Sequence, residues 1–136
     1  MTDRTIHICG KDVKVIYCTA TENSFEDISG KSIGVFVPEF KEEDGKTVIT
    51  APAEARIGDY VMLGIAGIIA ASTRDKEEMP ITSEDILFNA TPSERNTLIT
   101  TIRELRNEWY GIPTVVEELI DKDKQQSEGE ENGSKN

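Results

Sequence analysis

The sequence predicts an α+β fold. An N-terminal β-hairpin, with room for a second, labile hairpin, packs on a mainly helical bundle of about four helices. Three observations carry this. Residues Thr5 to Tyr17 alternate apolar and polar on both sides of a glycine, the pattern of a hairpin with one buried face. Beyond Pro52, apolar residues recur at three- and four-residue spacing, the period of amphipathic helices. Between them lie short β-branched runs separated by a charged turn.

In the first hairpin, "TIHICGKDVKVIY", a Gly10-Lys11 loop would put glycine where a type II′ turn needs positive φ. That register sets Ile8 opposite Val13 and Ile6 opposite Val15, giving one apolar face. "TATENSFEDIS" follows as a helix, with Thr19 and Glu22 as a capping box. Phe25 and Ile28 would share its buried face, with Glu22, Glu26 and Asp27 largely outside. Gly30 then falls where a left-handed C-cap favours glycine, and Lys31 adds a cation at the negative helix end.

Gly30-Lys31-Ser32 also spells the end of a phosphate loop, but Phe25 stands where the first glycine of G-x-x-x-x-G-K-[ST] must be. The glycine closes a helix here, whereas a phosphate loop needs it to open one. "IGVFV" and "KTVIT" read as two strands joined by "KEEDGK", with Pro38 at a strand end.

Helical structure resumes with Pro52 as a first-turn residue. Ile57, Tyr60, Val61, Gly64, Ile65, Ile68 and Ile69 form a wide apolar face. Gly64 and Gly67 each cost about 1 kcal/mol of helix propensity against alanine. Their retention points to close approach of another element, either a neighbouring helix or a second subunit. "ITSEDILFNA" gives a short helix capped at Thr82 or Ser83, with Ile86, Leu87 and Phe88 as its apolar content. The last long helix opens at Thr91-Pro92-Ser93-Glu94, a cap, a first-turn proline and the reciprocal glutamate. Leu98, Ile102, Leu105 and Trp109 continue it as core positions, with Ile99 beside them, and Gly111 and Pro113 stop it. Residues 1–120 are expected to form one domain, and the polar stretch 121–136, without an aliphatic or aromatic residue, a disordered tail.

The 26 acidic and 15 basic residues give a net charge of −11, which repels nucleic acid and anionic membranes. No stretch is long and apolar enough to span a bilayer, and the N-terminus lacks a signal-peptide pattern, so a cytoplasmic protein is expected. Cys9 and Cys18 fit neither a disulfide framework nor a metal spacing. The single histidine, His7, reads as a solvated strand residue, and "EFKEEDG" lacks the alternation of a calcium loop. In "RELRNEWY", Glu104 with Arg103 or Arg106 reads as a solvated face. No catalytic residue, metal or cofactor is expected. A small hydrolase or redox protein built on Cys9 or Cys18 ranks last among the alternatives.

The element order and the strings "FEDISGKSI", "DYVMLGIAGIIAAS" and "ITSEDIL" resemble the tail assembly chaperones of long-tailed bacteriophages and prophages. The resemblance covers roughly Ile6 to Tyr110, and "VFVPEFKEEDGKTVIT" is longer than the family pattern. It implies a non-catalytic, self-associating protein that binds the tape measure protein and helps recruit tail tube subunits. A frameshifted longer product is often made in that family. Tyr60, Leu63, Gly64, Gly67, Ile68, Trp109 and Tyr110 are the expected partner-binding residues. The alternative is an acidic inhibitor that mimics DNA towards a nucleic-acid-binding protein.

Overall fold

The computed structural model describes residues 2–52 and 54–112. The fold is α+β, with two antiparallel hairpins and four α-helices among those residues. The domain end expected at 120 and the tail expected at 121–136 lie outside them.

Strands β1 (Arg4–Ile8) and β2 (Lys11–Val15) form the first hairpin, and Ile6, Ile8, Val13 and Val15 all face the core. The register differs from expectation. Ile6 pairs with Val13 and Ile8 with Lys11, so the turn is Cys9-Gly10. Both turn residues have positive φ, 53° and 78°, which is the type I′ geometry. The two-residue shift keeps the same side chains on the same face, because the strand period is two. Tertiary contact selects this turn. The Cys9 N–H donates to Glu94 Oε2 at 3.1 Å and its Sγ lies 3.4 Å from the Asp85 carbonyl.

Helix α1 (Thr19–Ser29) starts one residue earlier than the expected cap allows, with Cys18 as N-cap. Thr21 makes the local bonds, its Oγ1 accepting from the Cys18 N–H at 3.2 Å and donating to the Ile16 carbonyl at 2.9 Å. Phe25 is fully buried, but Ile28 is exposed, because the helix packs through a stripe narrower than expected. Gly30 ends the helix at φ 70°. Lys31 pairs with Asp59 at 2.8 Å, so the cation after the helix reaches across to a second one.

"IGVF" is a 3-10 turn, Ile33–Phe36, and not a strand. Ser32 accepts from the Gly34 N–H and Glu26 from the Ile33 N–H, which hold the chain curled. The curl inserts Phe36 edge-on against Phe25 at 5.2 Å, with Tyr60 also 5.2 Å away. A flat strand would leave that aromatic outside. The second hairpin pairs β3 (Glu39–Glu43) with β4 (Lys46–Thr50) around Asp44-Gly45. The expected "KTVIT" strand is therefore present, with "EFKEE" as its partner.

Helix α2 (Ile57–Asp75) begins at Ile57, five residues after Pro52, which stands outside regular secondary structure. It is the central helix and packs against α1, β2 and α4 (Pro92–Tyr110). From Tyr60 to Ala71 all residues but Met62 and Ile69 are buried. Gly64 and Gly67 are explained within the chain. A Cβ on Gly64 would stand 2.5 Å from Leu98 Cγ, and one on Gly67 2.9 Å from the Ile16 carbonyl oxygen. Helix α3 (Ser83–Asn89) is capped by Thr82 with Asp85, and α4 by Thr91 with Glu94. Gly111 closes α4 at φ 70°.

Candidate partner-binding surface

The expected partner-binding residues divide sharply. Tyr60, Leu63, Gly64, Gly67 and Ile68 lie in the core and offer no surface in this fold. They carry the apolar face of α2, but that face is consumed by α1, β2 and α4. Trp109, expected as a core residue, is 45% exposed. Tyr110 turns inward instead and is half-buried. A helix rotates by about 100° per residue, so packing one neighbour expels the other.

Tyr110 joins a polar cluster. Its hydroxyl and that of Tyr17 both donate to Glu22 Oε2, the Tyr17 bond being 2.8 Å long, and the rings meet edge-on at 6.1 Å. Glu22, expected outside, is thus half-buried as the shared acceptor. Burial and then the Glu22 carboxylate push the Tyr17 hydroxyl far above its usual range. Burial and the hydrogen bond to Glu22 push Tyr110 up to about 12. Both protons are committed to Glu22, so the cluster ties the end of α4 to the start of α1.

Arg106, expected on a solvated face, is buried. Its Nε and Nη2 donate to Asn107 Oδ1 at 3.1 and 2.9 Å, and Nη1 is buried without a hydrogen-bond partner among the described residues. Arg103 does face outward, 5.2 Å over the Tyr60 ring. Beside the cluster, a cavity of about 190 Å³ is lined by Thr2, Tyr17, Leu105, Glu108 and Trp109.

A larger groove of about 580 Å³ lies between the 3-10 turn, the base of the second hairpin and the start of α2. Val35, Val37, Ala51 and Ala55 supply its apolar wall, and Glu39, Glu54, Asp59 and Arg56 its charged rim, where Asp59 is paired with Lys31 and Glu54 with Arg103. Val35 is 46% exposed, and the nearby Phe40 and Ile57 are 53% and 58% exposed. Among the described residues the second hairpin makes no substantial packing with another element, and all five β3 residues are exposed. Sequence reasoning missed Phe40 because it sits alone in a charged run, with no apolar period around it.

Leu87 and Phe88 are also outside, Phe88 at 80%. The seven-residue α3 is too short to bury more than Ile86. Single exposed apolar residues are ordinary on protein surfaces, whereas an apolar groove flanked by an unsupported hairpin points to a partner.

His7 is solvent-facing, 2.9 Å from Asp12. Cys9 and Cys18 are half-buried free thiols, and burial, then Glu94, pushes the Cys9 thiol up. Among the described residues no group of three or more His, Cys, Asp or Glu is placed to hold a metal ion, and no helix is long and apolar enough to cross a membrane. No family model, no curated protein and no solved structure matches the chain.

Proposed function

We propose that this chain is a non-catalytic assembly chaperone of the phage or prophage tail kind. In this reading it works in the bacterial cytoplasm, holds the tape measure protein, assists recruitment of tail tube subunits and self-associates. The observation that carries the reading is the groove beside the second hairpin: apolar surface at Val35 and Val37, a rim with three carboxylates against one arginine, and the exposed Phe40 on the adjoining hairpin. Such a surface suits an apolar segment with basic flanks, which long-range attraction to a −11 chain would steer inward. The resemblance of the sequence to tail assembly chaperones supplies the identity of the partner.

The DNA-mimic alternative draws less support. Asp3, Asp59, Asp75, Glu104 and Glu108 are each matched to a lysine or arginine, so these five are not free to stand in for phosphates.

Co-expression with the product of the downstream gene tests the proposal. A very long coiled-coil protein encoded there should stay soluble and co-purify with this chain, and Val35→Asp with Phe40→Asp should abolish the complex. The absence of such a gene, together with no slippery heptamer near codons 110 to 136 and no complex, would overturn it.

A further inference from the structure

The two edges of the second hairpin differ in how they are protected. An exposed edge strand is a template for pairing with another chain, and natural proteins blunt it with charges. Strand β3 carries four, Glu39, Lys41, Glu42 and Glu43, in five residues. Strand β4 carries only Lys46, followed by Thr47-Val48-Ile49-Thr50, all β-branched and uncharged. The β4 edge is the unprotected one.

Its geometry is self-complementary. The Asp44-Gly45 turn has both residues at positive φ, 52° and 76°, so Glu43 and Lys46 close a two-residue loop as a hydrogen-bonded pair. Alternation then makes Lys41–Val48 a bonded pair and Phe40–Ile49 and Glu42–Thr47 non-bonded ones. The backbone N–H and C=O groups of Thr47 and Ile49 therefore point away from β3. Among the described residues they make no backbone bond outside the hairpin.

We propose that β4 pairs antiparallel with β4 of a second copy about a two-fold axis through Val48. Thr47 then lies opposite Ile49 of the partner copy, and Ile49 opposite Thr47, in the two bonded pairs that the outward groups require. Val48 meets its own copy in the close, non-bonded pair between them. Lys46 falls opposite Thr50, so no like charges are opposed. The same operation on β3 would set Lys41 against Lys41 and Glu39 against Glu43 of another copy, which is destabilising.

One face of the four-stranded sheet then carries Phe40 and Ile49 of both copies, the two Ile49 side chains meeting diagonally across the axis while each Phe40 stays on an outer strand. Each copy carries −11, so the pairing strengthens as salt screens the repulsion. The inference stands on the hairpin alone and holds whether or not the chain is a chaperone.

The test is sedimentation of the full chain by itself, which needs no tail protein. A concentration-dependent dimer is expected, and Val48→Glu, which faces Lys41 within its own hairpin, should weaken it by about tenfold or more by opposing two carboxylates at the axis. Val48→Cys should form an intermolecular disulfide on mild oxidation at least about tenfold faster than Thr47→Cys, whose own copy lies diagonally across the axis. Far-UV circular dichroism checks that each variant keeps its helices. A monomer at all concentrations, an assembly indifferent to Val48→Glu, or equal cross-linking at the two positions would overturn the proposal. Capture of some other extended chain by a monomeric protein counts among those refuting outcomes.

Discussion

Replacing Gly67 by alanine sets two opposing effects against each other on one helix. Alanine favours the helix over glycine by about 1 kcal/mol. The added methyl, however, would stand 2.8 Å from Val15 Cγ1, 2.9 Å from Ile102 Cδ1 and 2.9 Å from the Ile16 carbonyl oxygen. The side-chain tips can yield, but the Ile16 carbonyl belongs to the backbone that leaves β2. That backbone is tied to the same glycine, since the Ile16 N–H donates to the Gly67 carbonyl at 3.3 Å. Overpacking costs about 1–3 kcal/mol, and weakening this bond adds about 0.5–1.5 kcal/mol. The net is a loss of about 2 kcal/mol, a clear win for sterics over propensity. With a urea slope of about 1–3 kcal/mol/M, the unfolding midpoint should fall by about 1 M. Gly58→Ala is the control, because nothing lies within 4 Å of its added Cβ and it should gain up to about 1 kcal/mol. Urea titration followed by circular dichroism measures both. A Gly67→Ala midpoint at or above that of the parent, with Gly58→Ala behaving as expected, would refute the close approach of α2 to β2.

Other consequences are as readily measured. Tyr110 is neutral when protonated and its folded value, about 12, lies above the ordinary 10.0. Its contribution to stability is therefore full below about pH 10 and is lost as pH rises towards 12; melting temperatures across that range should fall less steeply in Tyr110→Phe. At the other end, hydrogen bonds from Arg74 and then Lys14 hold Asp75 down to about 2 against an ordinary 3.8. The stability it gives is present above about pH 4 and lost as pH falls through 2, so Asp75→Asn should flatten the acid limb of the melting curve. Phe36→Ala should cost about 3–5 kcal/mol in the same urea titration, since it empties the space between Phe25 and Tyr60. Trp109→Ala should cost less, about 1–3 kcal/mol, and as Trp109 is the one tryptophan and is 45% exposed, its emission maximum should shift only modestly to the red on unfolding.

Much of this architecture was legible locally. The cap at Thr91 with Pro92 and Glu94, the glycine stops at Gly30 and Gly111, and the alternation of Ile6, Ile8, Val13 and Val15 each act within a few residues, so the chain alone determined those elements. The surface was not legible in the same way. An apolar period says that a face is buried but not what covers it, and the apolar face of α2, expected to meet either a neighbouring helix or a second subunit, is filled by Leu98, Ile102 and Val15 of the same chain. Only tertiary packing decided that Tyr110 turns in to Glu22 while Trp109 stays out, and that Phe36 curls into the core while Phe40 stands on a free hairpin. The turn at Cys9-Gly10 shows the same division. The strand pattern determined which side chains face inward, and the register was chosen by Glu94, 85 residues further along the chain. Short-range hydrogen bonding and steric preference are written into neighbouring residues, whereas burial is shared among segments distant in sequence and is settled only when they meet.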